Sequence, residues 1–500
     1  MIEEAIVNIL RNKQGIAEPT IAQVKDYYNK NLHPDVIDTD DQTIWENIFH
    51  KGRFAGVFQF TQKGAQDLCV RAKPTNIIDL AAITSIYRPG PLSAKVDRDY
   101  IEAKKQPQYI QYIHPIVREV TESTYGFLIF QEQIATLAHK LGKDVSLDEG
   151  NMLRKLLTKK GTGKGAEEML LIKGKFIEGC EDKGIARHAA EKLWSTFEYF
   201  SGYGFNKSHA VSYCFISFQC AWLFHNYPAE WMAAFLGREP ESRKEQAINI
   251  AKSFGFKIEP MNVNKSGTSW NILSDGETLV QPLTSVKGLG IKAVEQIMSH
   301  RPFNTIEEFL FDENISYSKL NKKSIDVLVR SQALNCLMDG RFTGMKHFWS
   351  CVALDRPRKE KNLHENIEKY APEGDFTEEQ KIEFLTNLTG VFPMSMVVNQ
   401  ELIDEFERKF IPPISEYDPE LGVVWFIARG VEKKKTRNGK DYWVVEVIDS
   451  TSKTTKIKCW GVKPGTDRVF TNRPYMARLE YDEQWGFSTR SIRRSFKLLG

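Results

Sequence analysis

Ser201-Gly202-Tyr203-Gly204-Phe205-Asn206-Lys207-Ser208-His209-Ala210 stands immediately before a long apolar run, Val211 to Phe224. Two glycines two residues apart permit positive φ and close backbone approach, so this stretch is expected to be a loop. The apolar run has the length of a buried helix, with Ser208 expected as its N-cap and Tyr227-Pro228 as its end. Asn206, Lys207 and His209 therefore fall at the start of that helix, where free N–H groups and the helix dipole favour an anion. The combination suits a phosphate. A glycine-rich surface connection with a solvated lysine satisfies the same spacing.

At roughly 100–200 residues per domain, 500 residues correspond to about three domains. Hydrophobic residues make up 41% and charged residues 27%, with a mean hydropathy of −0.40, the balance of a soluble chain with large cores. The net charge of +3 gives no global attraction for nucleic acid, so any basic surface must be local. The seven cysteines include no C-x-x-C pair and read as reduced thiols in a cytosol, with no zinc or other metal site. Met1-Ile2-Glu3-Glu4 is acidic and unlike a signal peptide, and Val211 to Phe224 is too short and too interrupted to span a bilayer. A cytoplasmic setting, in a bacterium or an infected host cell, without a membrane partner, is expected.

Along the chain, residues 1–11 show helical periodicity. Pro34 to Asp41 is an acidic cluster that could hold two Mg²⁺ ions only if its carboxylates shared a strand face. Asp35 and Asp38 are three apart and Asp40-Asp41 are adjacent, so Asp40 or Asp41 is better read as the N-cap of a helix through Ile44-Trp45. Residues 52–60 read as a turn feeding a short buried strand or helix start. A helix ends before Pro89, leaving Tyr87 and Arg88 at its terminus, where they suit a nucleic-acid backbone or base; dipole decoration by the arginine is equally natural. Tyr125 to Gln133 runs from a short apolar strand into a helix. In the next helix Leu153, Leu156 and Leu157 share one face, while Arg154 with Thr158 and Lys155 with Lys159 form i, i+4 pairs opposite. Followed by Gly161 to Gly165, this basic face suits a polyphosphate, or is a solvated lysine face.

Gly56-Val57-Phe58-Gln59, Tyr87-Arg88-Pro89-Gly90-Pro91, Tyr125-Gly126 with Gln131-Glu132-Gln133, Leu153-Arg154-Lys155, Gly202 to His209, and Tyr227-Pro228-Ala229-Glu230 occur in one order. Over residues 41–236 this order resembles the fingers of the bacterial replicative DNA polymerase III alpha subunit, the C-family polymerase. The resemblance implies that Arg154 and Lys155 face the triphosphate of an incoming nucleotide, with Lys159, Asn206, Lys207 and His209 nearby. Lys155 stands where the family usually has a second arginine, losing the planar fork and keeping the charge. The family's palm lies upstream of the fingers and holds two metal ions on three aspartates. Pro34 to Asp41 does not match their spacing, so the Mg²⁺ and the palm are expected on a separate, N-terminal polymerase chain, as in a phage-type split enzyme.

Beyond a charged connection at residues 239–245, Val286-Lys287-Gly288-Leu289-Gly290-Ile291-Lys292 looks like a helix-hairpin-helix turn whose N–H groups, with Lys287 and Lys292, take a DNA phosphate. A plain helix–turn–helix packing unit fits as well. Residues 339–380 are charged and weakly periodic. The family's sliding-clamp peptide has no clean match: Gln380-Lys381-Ile382-Glu383-Phe384 carries Glu383 where Leu or Met belongs. From Val423 the period becomes that of strands, at 423–427, 442–448, 456–460 and 475–481, which fits a five-stranded OB barrel. Lys434, Arg437 and Trp443 are its candidate DNA contacts, with tryptophans as core the alternative.

The expected fold is multidomain: mostly α fingers and a helix-hairpin-helix region, followed by an all-β OB-fold barrel. Residues 1–40 are the palm-to-fingers connection, 41–238 the fingers, 239–400 the duplex- or clamp-binding part and 401–500 the OB fold. The expected partners are primer-template DNA, deoxynucleoside triphosphates, the palm-bearing chain and a sliding clamp. The competing expectation is a DNA-binding accessory protein derived from a polymerase.

Overall fold

Helix-forming sequence dominates the first half of the chain, and strands gather at its end. A computed structural model describes all residues except 94, 159–163, 201–203, 371–373, 437, 452–453, 464 and 500. The chain divides into two compact units, residues 1–231 and 232–500, and the division falls inside the helix Pro228–Arg238.

The first unit is helical among its described residues. The acidic cluster near its start is spent on local turns. Asp38 Oδ1 accepts from the Asp40 N–H at 2.9 Å, and Asp41 caps the short helix Gln42–Ile44 by accepting from the Thr43 N–H. The helix Ile77–Ile86 ends before Pro89, with Tyr87 as its C-cap. Residues 52–60 form consecutive turns and no strand, although Val57 and Phe60 are buried as expected. The helices Gln131–Leu141, Leu147–Thr158, Lys164–Asp182 and Arg187–Phe200 enclose a core that includes Leu137, Leu153, Phe176, Trp194 and Phe197. Leu153 and Leu157 are buried and Leu156 is half-buried, which matches the expected apolar face.

Gly150 sets how closely two of these helices cross. A Cβ there would lie 2.5 Å from the Ala135 carbonyl oxygen, so only a residue without a side chain lets Leu147–Thr158 approach Gln131–Leu141 at this point. The helix Lys207–Asn226 is buried along Ala210, Cys214, Ser217 to Ala221, Leu223 and Phe224. Its N-cap is Asn206, not Ser208: the Asn206 Oδ1 accepts from the His209 N–H at 2.8 Å, and Ser208 lies inside the first turn.

The second unit opens with the helix Glu241–Ser253 and a small sheet of β1 (Lys257–Glu259), β2 (Asn271–Ile272) and β3 (Thr278–Val280). Gly288, at φ 93°, and Gly290, the N-cap of Ile291–His300, make the expected tight turn into that helix, from the short 3₁₀ helix Leu283–Ser285. The stretch at 339–380 is more regular than its composition suggests. Met345–Trp349 and Glu360–Lys369 are helices, and Phe342, Met345, Phe348, Val352 and Leu363 join the core that surrounds Val294 and Leu328. Gln380 to Phe384 belongs to the helix Glu378–Thr389, where Ile382 is buried and Phe384 packs on that core. It is not an extended peptide for a clamp.

The closing domain is a curled sheet, OB-like, of seven strands among the described residues: β4 (Val423–Lys435), β5 (Asp441–Ile448), β6 (Thr455–Cys459), β7 (Arg473–Arg478), β8 (Glu480–Asp482), β9 (Gly486–Thr489) and β10 (Phe496–Leu498), ordered β10-β7-β4-β5-β6-β9-β8. The four expected strands are present. The run at 475–481 breaks at Leu479, whose N–H donates to the Gly422 carbonyl and whose carbonyl accepts from the Tyr417 hydroxyl. β4 carries a bulge between Ala428 and Gly430. Before it, β4 pairs with β7 and β5; after it, with β5 alone.

Candidate functional site

Gln131, Glu132 and Gln133 each fasten a different piece of the first unit. Gln133 is buried: its Oε1 accepts from the Ile129 and Phe130 N–H groups, and its Nε2 donates to the Thr124 hydroxyl at 2.7 Å. Gln131 donates twice across the loop, from its backbone N–H to the Phe205 carbonyl and from Nε2 to the Gly204 carbonyl. Glu132 receives the Asn206 Nδ2 through Oε1 and the Lys207 N–H through Oε2, each at 2.9 Å. Its carboxylate therefore sits at the N-terminus of Lys207–Asn226, where the helix dipole favours negative charge.

The close crossing at Gly150 brings Arg154 to the same point. Its Nη1 lies 3.5 Å from Glu132 Oε1, with the side chain 23% exposed, so the guanidinium is in reach of solvent. Around this ion pair stand further cations and several rings. Arg88 lies over the Phe205 ring at 4.2 Å, Lys207 Nζ is 5.7 Å from the Phe130 ring, and His209 packs between Phe205 and Tyr213. Phe58 follows on Tyr213 at 5.3 Å. Three cationic side chains, an imidazole and a run of partly exposed rings thus share one surface, which can hold phosphates and stack a base.

The structure brings together Arg88, Arg154, Asn206, Lys207 and His209. Lys155 is exposed on the helix, and Lys159 lies outside the described residues. Tyr87 is half-buried, its hydroxyl against Gly64, so it is not a free stacking ring. Tyr125 is structural. Its hydroxyl donates to Asp79 at 3.1 Å, and burial first, then the Asp79 charge, hold it above the usual tyrosine range and neutral. The residue that sequence reasoning missed is Glu132, which precedes Lys207 by 75 positions and carries the sign opposite to the one sought.

In the second unit, Lys287 forms an ion pair with Glu241 at 3.1 Å, and Lys292 is exposed beside the Gly290 turn. Lys434 pairs with Glu432 at 3.0 Å, and Arg437 lies outside the described residues. Trp443 corrects an expectation. It is 4% exposed and part of the sheet core with Val445 and Val447, because its position in β5 faces inward. The exposed tryptophans of this sheet are Trp460, stacked on Tyr442, and Trp485, with Lys458 over its ring.

Residues 14–184 match the family described as the bacterial DNA polymerase III alpha subunit finger domain, and residues 255–345 match the helix-hairpin-helix motif. The chain is related to bacterial DNA polymerase III alpha subunits. The alpha subunit of Campylobacter jejuni subsp. jejuni is 33% identical over 322 residues, 63% of this chain and 26% of that protein. That of Aquifex aeolicus is 29% identical over 425 residues, 82% of this chain and 35% of the relative. That of Pseudomonas aeruginosa is 32% identical over 341 residues, 65% and 28% respectively. The chain thus spans about a quarter to a third of the length of these alpha subunits. The Arg154–Glu132 pair falls on the finger domain, and the Gly288 turn falls on the helix-hairpin-helix. No helix among the described residues is long and apolar enough to cross a membrane.

Proposed function

We propose that this chain supplies the nucleotide- and DNA-gripping parts of a template-directed DNA polymerase: fingers, helix-hairpin-helix and OB-like domain. The palm aspartates and their Mg²⁺ ions belong to a separate polypeptide. The observation that carries this reading is the convergence of Arg88, Arg154, Lys207 and His209 on one capped helix start beside the finger-domain helices. The chemistry of these residues is to bind, orient and neutralise a triphosphate. Arg154 offers a planar fork and Lys207 a point charge, and the rings beside them stack a base.

In the acidic stretch Asp38 and Asp41 accept backbone N–H groups and Asp35 faces His33, and among the described residues no three His, Cys, Asp or Glu side chains are grouped to hold a metal ion, which supports placing the Mg²⁺ donors on the palm. Two partners that the sequence suggests, primer-template DNA and a sliding clamp, are unequal. The Gly288 turn supports the first, whereas the helical setting of Gln380 to Phe384 offers the second no peptide of the expected kind.

The test is primer extension with the purified chain, alone and with a palm-bearing alpha-subunit fragment. Activity is expected only with the fragment, and robust extension by the chain alone would overturn the division of labour. In the restored system Arg154→Ala should cost about 2–4 kcal/mol in kcat/KM for the nucleotide, with primed-DNA affinity little changed. The second reading, a DNA-binding accessory protein, is favoured by the Arg154–Glu132 pair, which would then be purely structural. It predicts that Arg154→Ala leaves nucleotide binding untouched and lowers thermal stability.

A further inference from the structure

In the second unit, the chain that leads into the closing sheet leaves an apolar groove of about 460 Å³, the size of an ordinary ligand site. Its lining comes mainly from the helix Gln400–Arg408, the segment that follows it and the start of β4. Phe406 and Trp425, stacked at 5.0 Å, are its buried members, and Ile403, Phe410, Ile411 and Leu421 are its other large apolar side chains. Phe410 and Leu421 stand open to solvent, 82% and 47% exposed. The helix closes in a Schellman motif: the Phe410 N–H donates to the Glu407 carbonyl at 3.1 Å and the Ile411 N–H to the Phe406 carbonyl at 2.9 Å. Phe410 occupies the left-handed position of that motif, at φ 54°, where glycine is usual and a bulky side chain is strained. Neither burial nor backbone preference accounts for a phenylalanine there. Strain that holds an apolar ring in water, beside an apolar groove, points to something that covers the ring.

The charge of the groove says what kind of partner that is. Glu407, Glu416 and Asp418 belong to its lining, which contains no lysine, arginine or histidine. All three are exposed, and among the described residues none has a cation partner. The cations nearest in sequence are engaged elsewhere: Lys409 pairs with Glu405, and Arg408 Nε donates to the Asp404 carbonyl at 3.3 Å. Asp418 spends one oxygen on the Glu420 N–H at 2.8 Å. An apolar groove with an unbalanced negative rim repels phosphate and favours an apolar group that arrives with positive charge beside it.

We propose that this groove docks a basic segment of a partner polypeptide. The segment buries one aliphatic or aromatic side chain against Phe406, Phe410 and Trp425, and sets lysines or arginines against Glu407, Glu416 and Asp418.

The test is fluorescence anisotropy on the full chain with a panel of labelled, end-blocked peptides, each with one leucine, phenylalanine or tryptophan flanked on both sides by lysines or arginines. Saturable binding by at least one peptide is expected, half-complete below about 100 μM and weaker at high salt. Exchanging that peptide's apolar residue for alanine, or its cations for glutamates, should remove the binding. On the protein, Glu407→Gln, Glu416→Gln and Asp418→Asn together should weaken it at least about tenfold. Phe410→Asn should weaken it as much, with an unfolding temperature unchanged or raised, because asparagine tolerates the left-handed backbone. The proposal fails if no peptide of the panel binds, or if either variant binds like the wild type. It fails if Phe410→Asn lowers the unfolding temperature, which would make the ring a support of the fold, or lowers affinity for an oligothymidylate, which would mark a nucleic-acid surface. Sedimentation that shows the chain self-associating, and the association lost in Phe410→Asn, would overturn it too, since the occupant would then be a second copy.

Discussion

Glu132 holds the partners that an incoming phosphate would also seek: the Lys207 N–H, the Asn206 amide and the Arg154 guanidinium. An internal carboxylate of this kind competes with the ligand while keeping its binding groups in place. Glu132→Gln retains an acceptor for the helix start and removes the charge, so nucleotide affinity should rise. Stability should change by less than about 1 kcal/mol, since the pair is partly solvated. Titration with a fluorescent nucleotide and a thermal melt check both, and weaker binding would make Glu132 a strut instead. Elsewhere a charge cluster sets an acid limit. Hydrogen bonds from Arg341 hold Glu307 and Asp339 below the usual carboxylate range. Because their folded values are depressed, the stabilisation is complete above about pH 5, beyond the ordinary Asp and Glu values, and is lost as pH falls through those values and then through the folded ones. The stability gap between wild type and Arg341→Gln should therefore close on acidification, as denaturant melts at several pH values would show.

A single glycine decides how the elements around the finger site meet. Gly150→Ala forces a Cβ to within 2.5 Å of the Ala135 carbonyl, and backbone cannot yield there as a flexible side chain could. The helices should separate at a cost of about 1–3 kcal/mol, carrying Arg154 away from Glu132 and lowering nucleotide affinity even in molecules that stay folded. Calorimetry and nucleotide titration together distinguish this from simple destabilisation. Part of this element's behaviour is legible in sequence: Leu153 and Leu157 announce the buried face, but Arg154, expected opposite, lies on the Gly150 side, half-buried against Glu132, and it is Lys155 that is exposed. Gly150 is not, because a close crossing depends on a partner helix that no local period records. Asn206 displaces Ser208 as the cap for a related reason, since Glu132 and Gln131 pin the chain two residues earlier. Trp443 is misplaced by pattern because alternation alone does not say which face of β5 is inward. Residues 339–380 look irregular because few apolar positions, widely spaced, suffice when a neighbouring core already exists.

At the scale of the whole molecule, the second unit does not end its packing where its strands begin. Ile382, Phe392, Val398 and Phe406 share a cluster with Trp425, Ile427 and Ile448, and the Phe406 and Trp425 rings stack at 5.0 Å. Truncation at Leu421 should therefore strip this cluster, lowering the unfolding temperature and exposing surface to an apolar dye. A truncated chain that melts like the full one would show that the helical part is self-sufficient. The same sheet has a property that matters before any ligand arrives. Past its bulge, β4 pairs among the described residues with β5 alone, so the other edge of Gly430 to Lys435 has no strand partner for its backbone donors and acceptors there. Such a row invites a strand from another molecule, and successive lysines are a common deterrent. Lys433, Lys434 and Lys435 occupy this stretch, so their charge should oppose self-association at high concentration, as light scattering of the wild type and an apolar variant would show. Replacing them by apolar residues would yield filaments or precipitate whether or not a single base is ever bound there.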